Sequence, residues 1–236
     1  MAPKVKKIDY YSKLKKFCLD QGADLFGVAD ISSIKEDFLL KKETLAQCDK
    51  AICVGARLSP SILSEVVDAP TRLYSYHYRM VNLLLDQIAL KLANLIQKKG
   101  YFAIPIPSSQ VIDWEKQAAH VSHKRLGVMA GMGWIGRNNL LVNKDYGSQL
   151  RLVTVLTDIP LKADKPGNLE CAPCSLCIKM CPAGAIKETA RDFDSGRCLE
   201  KLREFNRRKI VEQYICGVCV NVCKGAQPFL KRAGNK

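Results

Sequence analysis

Eight of the eleven cysteines are crowded between Cys171 and Cys223, and this crowding constrains the fold more than any other feature of the sequence. Four of them have the spacing C-x2-C-x2-C-x3-C and precede a proline: Cys171, Cys174, Cys177 and Cys181. This spacing is typical of bacterial [4Fe–4S] sites, in which three thiolates bind one cube and the fourth binds a second cube. A zinc site and free thiols are the alternatives.

A second set of cysteines completes the pattern. Cys198 stands alone, and C-x2-C-x3-C follows at Cys216, Cys219 and Cys223. If the last cysteine of each set binds the cluster of the other set, the eight cysteines hold two clusters. Cluster one is assigned to Cys171, Cys174, Cys177 and Cys223, and cluster two to Cys181, Cys198, Cys216 and Cys219. Residues 199–215, inserted within the second set, are predicted to form a basic helix. One cluster with a different second metal is the alternative.

Composition narrows the class of protein. The 236 residues carry a formal net charge of +14. The excess of lysine and arginine favours an acidic partner, such as a ferredoxin or flavodoxin electron donor, a corrinoid protein or RNA, although a solvated basic surface is equally consistent with it. No apolar stretch is long enough to cross a membrane, and no signal-peptide pattern follows the basic N-terminus. We therefore expect a cytoplasmic protein without membrane contact.

Periodicity predicts an α/β fold ahead of the cysteines. The predicted strands are 25–28, 51–56, 101–107, 140–142 and 150–157, and the predicted helices are 10–21, 69–97 and 114–129. Their alternation is typical of mixed α/β domains. The composition turns polar, with Pro166 and Gly167, around residues 162–168. We therefore predict two domains, 1–164 and 165–236.

A glycine-rich segment lies between these elements. Gly131, Gly133 and Gly136 match G-x-G-x-x-G, but a dinucleotide fingerprint should follow a strand and open a helix. Here a predicted helix precedes the glycines and a strand follows, so NAD binding is disfavoured. Glycines this dense still allow the backbone to approach a flat ligand closely.

The stretches AGMGWIGRNNLLVN and SYHYRMVNLLLDQIA, with the two cysteine sets behind them, resemble the epoxyqueuosine reductase family and, more distantly, reductive dehalogenases. The similarity runs from about residue 70 to residue 225. It implies a nitroreductase-like α/β domain that binds cobalamin, fused to a ferredoxin-like module with two [4Fe–4S] clusters. It also implies that electrons pass through the clusters to the cobalamin.

The resemblance indicates candidate residues. Those expected against the corrin are Gly133, Trp134, Gly136, Arg137, Asn138 and Asn139. Alternatively, this segment is a packing turn with Trp134 in the core. Tyr76 and His77 match the family's helix and are candidate proton donors. His120 and His123, three residues apart, would share a helix face and offer an axial ligand or a proton. The family's acid follows the strand aligned with 101–107, where this chain has no acid before Asp113.

Three functions remain open at this point. The first is a corrinoid-dependent reductase that acts on a small or RNA-bound substrate. The second is a non-catalytic electron-transfer protein that restores the low-valent state of a partner's corrinoid or flavin. The third is an iron–sulfur reductase that uses FMN, a common cofactor of nitroreductase-like folds.

Overall fold

The computed structural model describes residues 9–113, 117–171 and 173–225, and its centre is a four-stranded sheet. The strands are β1 (Leu25–Asp30), β2 (Lys50–Arg57), β3 (Ala103–Ile106) and β6 (Leu150–Thr157), in the order β1-β2-β6-β3 with every pair antiparallel. The inner strands β2 and β6 are buried along most of their length. A separate two-stranded ribbon consists of β4 (Trp134–Ile135) and β5 (Leu141–Val142). The fold is therefore a mixed α/β fold, as predicted.

Helices cover both faces of the sheet. They are α1 (Tyr10–Asp20), α2 (Lys42–Ala46), α3 (Pro60–Leu63), α4 (Arg72–Gln97), α5 (His123–Met129), α6 (Leu176–Met180), α7 (Ser195–Arg207) and α8 (Val218–Val222). On one face, α1 and α4 pack over Val54 and Val153 in the larger hydrophobic core. On the other face, Leu126 of α5 packs with Cys53 and Leu156. Apolar side chains that alternate along the inner strands supply both cores.

The helix predicted over 114–129 is wrong at its N-terminal end. Within the described residues, α5 begins only at His123, because the Ser122 hydroxyl accepts a hydrogen bond from the Arg125 N–H and caps the first turn. Residues 117–122 form no helix, and Trp114 lies outside the described residues. His120 therefore does not share a helix face with His123; its Nδ1 lies 2.8 Å from the Leu39 carbonyl oxygen.

The basic helix predicted over 199–215 also differs from the structure. Helix α7 begins earlier, at Ser195, where the Asp194 side chain caps it, and ends at Arg207. Lys209 has a φ of 56°, in the left-handed region, which ends the helical path. Residues 208–215 therefore approach the second cysteine motif as irregular chain.

The cysteine-rich part consists of short helices joined by irregular segments, and α6 packs against α8. The division into domains 1–164 and 165–236 stays a prediction. Cys18, Cys48 and Cys53 are buried apart from the other eight cysteines. Over the residues that the structure describes, no helix combines the length and apolar character that crossing a bilayer would require.

A candidate cofactor cavity beside two cysteine groups

The eight clustered thiols form two neighbouring groups. Burial and the nearby thiolates of Cys223, Cys171 and Cys174 together raise the pKa of the Cys177 thiol to about 11. The pKa of Cys219 is raised by burial, then by the thiolates of Cys216, Cys198 and Cys181, and also by that of Cys177, so the two groups adjoin each other. We call Cys171, Cys174, Cys177 and Cys223 group one, and Cys181, Cys198, Cys216 and Cys219 group two. Their ligation of clusters stays a prediction.

The thiols of each group lie near one another without converging on a single point. Among the described residues, no three His, Cys, Asp or Glu side chains converge in a way that would hold a metal ion. The thiols are close enough to influence one another's pKa, yet they do not meet at one point. A four-iron cube carries its irons at separate corners, so its thiolate ligands surround a volume instead of a single centre.

The ribbon of β4 and β5, with the glycines at 133 and 136 on either side of β4, lies next to group one; we call it the glycine ribbon. A methyl group at Gly136 would clash with Val142 Cγ2 at 2.5 Å, and it would lie at an ordinary contact distance, 3.6 Å, from Cys171 Sγ. A methyl group at Gly133 would lie 2.0 Å from the Val142 carbonyl oxygen. These two glycines therefore allow tight packing within the ribbon; neither lines the cavity described below.

Arg137 extends from this ribbon into the group-one loop. Its Nη1 donates to the Cys174 carbonyl oxygen at 2.7 Å, and its Nε donates to the Glu188 carbonyl oxygen at 2.6 Å. The positive charge also lowers the pKa of Cys177, against the effect of burial. Arg137, expected at a corrin edge, is instead placed where it supports thiolates.

Trp134 begins β4, two residues before Gly136. It is 7 % exposed and belongs to neither large hydrophobic core. Its indole Nε1 is the one buried side-chain nitrogen or oxygen in the described part of the chain that has no hydrogen-bond partner. A buried N–H without an acceptor is costly, so this donor indicates an acceptor outside the described residues.

A cavity of about 540 Å³ lies between group two and the sheet. This volume is within the range of roughly 300 to 1,000 Å³ that is typical of small-molecule and cofactor sites. All four group-two cysteines line it, and no group-one cysteine does. The opposite walls combine apolar side chains with Tyr78, Ser108, His123, Lys124, Asn138, Asn139, Ser148 and Arg151.

His123 lies on this wall with both ring nitrogens engaged. Its Nε2 lies 2.9 Å from the Pro107 carbonyl oxygen and must donate to it, so the neutral ring accepts at Nδ1 from the Thr154 hydroxyl at 2.8 Å. Burial lowers the pKa of His123 to about 4, because the ring faces the cavity instead of bulk solvent. In this arrangement neither nitrogen is free to be an axial ligand.

Asn138 and Asn139, unlike Arg137, line the cavity. The buried Asn138 donates from Nδ2 to the Ser148 hydroxyl at 3.0 Å and lines the cavity. Asn139 has a φ of 57° and accepts from the Lys124 ammonium at both its carbonyl and its Oδ1, each at 2.8 Å. Both asparagines thus present amide groups to the cavity on a rigid turn.

The structure does not bring Tyr76 and His77 to the cavity. Tyr76 is 55 % exposed, and His77 Nε2 accepts from the Ser59 backbone N–H at 2.9 Å. Two tyrosines that the sequence analysis missed, Tyr74 and Tyr78, line the cavity instead. They are four residues apart on the buried face of α4, so helical spacing against the core could have identified them.

Asp113 does not line the cavity either. It forms a β-bridge with Ala118, whose neighbour Gln117 lines the cavity. The described lining residues include no aspartate and no glutamate. A carboxylic acid at the position expected for a proton donor is therefore absent from the described part of the wall.

The sequence is similar to curated epoxyqueuosine reductases, while no family model matches it. The Synechocystis enzyme is 34 % identical over 119 residues, which are 46 % of this chain and 41 % of that protein. The Cyclobacterium marinum enzyme is 27 % identical over 239 residues, covering 89 % of this chain and 77 % of that protein. The matched part is thus less than half of the Synechocystis relative. These similarities confirm the resemblance predicted from the glycine ribbon and the cysteines.

Solved structures share the fold. A catabolic reductive dehalogenase in complex with 3-bromo-4-hydroxybenzoic acid superposes with a TM-score of 0.71 at 19 % identity, over 91 % of this chain and 32 % of that one. An epoxyqueuosine reductase with a modified tRNA stem loop superposes with a TM-score of 0.63 at 20 % identity, over 92 % of this chain and 65 % of that one. At these identities the likeness establishes the fold.

Proposed function

We propose that this chain is an oxidoreductase that passes single electrons through two [4Fe–4S] clusters to a cofactor in the cavity, which reduces a substrate there. The observation that carries the proposal is the asymmetry of the two cysteine groups: group two is part of the cavity wall, and group one is not. Electrons would enter at cluster one, held by group one, and reach the cavity through cluster two, held by group two.

The residues around the cysteines suit clusters. Eight thiols in two groups of four match two cubes, and each group has a nearby cation that favours thiolate. Arg137 lowers the pKa of Cys177, and Lys201 lowers that of Cys216. The indole N–H of Trp134, which has no partner among the described residues and lies two residues before the glycine next to Cys171, would donate a hydrogen bond to a sulfur of cluster one. Such hydrogen bonds are a known determinant of cluster potential.

Cobalamin is the cofactor that we favour. When bound, it supplies a low-potential cobalt centre for reduction of the substrate. The apolar walls suit the faces of a corrin, and the amide groups of Asn138 and Asn139 and the hydroxyls of Ser108 and Ser148 suit its polar edges. His123, neutral and doubly hydrogen-bonded, would fix the wall behind the cofactor and would not bind the cobalt.

A proton for the reduced substrate would come from a tyrosine. Tyr78 lies on the cavity wall, with the Arg151 guanidinium 4.3 Å from its ring centroid. Its neighbour Tyr74 is buried, and burial raises its pKa, so its hydroxyl stays protonated at neutral pH. Both tyrosines line a wall whose described residues include no carboxylic acid.

RNA is the substrate class that we propose. One of the structural relatives was solved with a tRNA stem loop, and the net charge of +14 suits a polyanion. FMN remains the second candidate cofactor, because the cavity presents cations without described carboxylates and would accommodate a phosphate. An acidic ferredoxin or flavodoxin suits the basic chain as electron donor.

The test is anaerobic binding to protein with reconstituted clusters. Cobalamin and FMN are titrated separately, and bound cofactor is measured by equilibrium dialysis and absorbance. Binding of about one cobalamin per chain is the expected result. Binding of FMN alone would favour the flavin alternative. Retention of neither cofactor beside intact clusters would contradict the proposal and favour a protein that delivers electrons to a partner's cofactor.

A further inference from the structure

The walls of the cavity carry an unusual balance of charge. Three cationic side chains line it, Lys124, Arg151 and Lys201, while its described lining includes no aspartate or glutamate. Lys201 already has two roles: its ammonium lies 2.5 Å from Glu204 Oε2, and its charge lowers the pKa of Cys216. It therefore belongs to the surroundings of group two, which leaves Lys124 and Arg151 to be explained.

Lys124 is held at the cavity by neutral acceptors alone. Its ammonium donates to the carbonyl oxygen and to Oδ1 of Asn139, and none of the ion pairs in the described part of the chain includes it. An ammonium has three N–H donors, so one donor remains for a ligand. Burial lowers the pKa of Lys124, because its ammonium is partly removed from water and has neutral acceptors as its described partners.

Arg151 is similarly oriented by neutral groups. Its Nε donates to Asn82 Oδ1 at 2.8 Å, its Nη2 donates to the Ser108 carbonyl oxygen at 3.2 Å, and its plane lies against Tyr78. A guanidinium has five N–H donors, so these contacts fix its direction without exhausting it. Lys124 and Arg151 both line the same cavity. A described carboxylate close to this wall is that of Asp86, which accepts from the Ser108 backbone N–H at 2.8 Å and does not line the cavity.

We propose that Lys124 and Arg151 form a phosphate-binding site on the cavity wall. A phosphate offers several charged acceptor oxygens, which suit an ammonium with a remaining donor and a pre-oriented guanidinium. The inference rests on the proposed function to the extent that both concern the same cavity. The phosphate would belong either to the cofactor, as in the nucleotide loop of cobalamin or in FMN, or to a nucleotide of the substrate.

Ligand pairs that differ in the phosphate test this site. Cobinamide phosphate is compared with cobinamide, FMN with riboflavin, and 5′-AMP with adenosine, and inorganic pyrophosphate serves as a probe that needs no cofactor chemistry. Binding is measured by calorimetry on protein with reconstituted clusters, in wild type, Lys124→Met and Arg151→Met. Arg125→Met is the matched control, because Arg125 follows Lys124 in α5 but pairs with Asp37 outside the cavity, at 2.8 Å.

Loss of either cavity cation should weaken the phosphate-bearing member of at least one pair on the order of tenfold or more. The phosphate-free member and the Arg125→Met protein should keep their affinities. Weakening of the cofactor pairs would assign the site to the cofactor, and weakening of 5′-AMP alone would assign it to the substrate. Lys124→Arg, which keeps the charge, should retain most of the binding and guards against a folding defect in Lys124→Met.

Different results would contradict the phosphate site and the proposed cofactor. Pyrophosphate binding that depends on Lys124, without retention of cobalamin or FMN, would support the phosphate site and contradict the proposed cofactor. Equal weakening of both members of every pair, or pyrophosphate binding that is unchanged in Lys124→Met and Arg151→Met, would overturn the phosphate site.

Discussion

The two cysteine groups are built from the same residue type in the same short segment, yet their surroundings differ. Group one lies behind the glycine ribbon, where Gly136 approaches Cys171 and Arg137 binds the Cys174 carbonyl oxygen. Group two opens onto the cavity, with Tyr74 and Tyr78 on a neighbouring wall. Group one therefore lies beside the ribbon and away from the cavity, whereas group two lines the cavity. We propose that electrons pass from the cluster held by group one to the cluster held by group two at the cavity wall.

Substituting one cysteine in each group should give the largest difference between the two groups. In Cys219→Ser and in Cys174→Ser alike, we expect iron to fall from about eight to about four atoms per chain. The consequences should differ. Cys219→Ser removes the cluster at the cavity and should abolish reduction of bound cobalamin by dithionite, whereas Cys174→Ser should retain it. Iron analysis and stopped-flow absorbance measure both effects, and loss of reduction in Cys174→Ser alone would reverse the assignment.

The packing within the ribbon beside group one gives the next largest effect. In Gly136→Ala the added methyl group would meet Val142 Cγ2 at 2.5 Å and Asn138 Oδ1 at 3.0 Å, so we expect a loss of about 1 to 3 kcal/mol in the free energy of unfolding. Gly167→Ala is the control, because a methyl group there has no neighbour within 4 Å. Chemical denaturation measures both variants. Equal stability of the two would show that the ribbon does not pack as described.

The cavity wall should respond to pH through His123. Its pKa is about 4 in the folded chain and about 6.5 when unfolded, so the unfolded state binds more protons between these values, and stability falls as the pH decreases from 6.5 towards 4. We expect an extra loss of about 1 to 2 kcal/mol between pH 7 and pH 5 in wild type compared with His123→Gln. Denaturation of both proteins at each pH isolates this group. Parallel pH profiles would contradict a desolvated neutral ring.

The smallest predicted effect concerns the cluster held by group one. Trp134→Phe removes the unpartnered indole N–H while keeping an aromatic ring. Loss of one hydrogen bond of about 0.5 to 1.5 kcal/mol should lower the reduction potential of one cluster by roughly 20 to 60 mV and leave the other unchanged. A redox titration followed by EPR resolves the two potentials. A shift confined to the cluster that Cys219→Ser removes would place the indole beside the wrong group.

Spacing alone predicted the grouping of cysteines, because short loops and one crossover leave few ways to gather eight thiols. Runs of apolar residues predicted the main strands, and the predicted bounds match β2 and β6 closely. Adjacent residues on α4 were harder to assign. Matching Tyr76 and His77 to a family motif ignored the helix face, whereas Tyr74 and Tyr78 share the face of the buried Leu85.

Other parts of the site could not be predicted from the sequence. Arg137 follows the glycines directly, but its hydrogen bonds reach residues 37 and 51 positions away, and no local pattern encodes such contacts. Lys124 stands within a short helix whose start depends on the Ser122 cap, so its position on the cavity wall required the fold. The role expected of His123 as a ligand changed once the Pro107 and Thr154 partners were known.

Magnetic coupling between cobalt and the cavity-side cluster tests the direction of electron flow most directly. Protein with reconstituted clusters is loaded with cob(II)alamin, the clusters are partly reduced, and the cobalt EPR signal is recorded in wild type, Cys174→Ser and Cys219→Ser. We predict broadening of the cobalt signal by a reduced cluster in wild type and Cys174→Ser, and an unbroadened signal in Cys219→Ser. An unperturbed cobalt signal in wild type, or broadening that survives in Cys219→Ser, would contradict a cluster at the cavity wall.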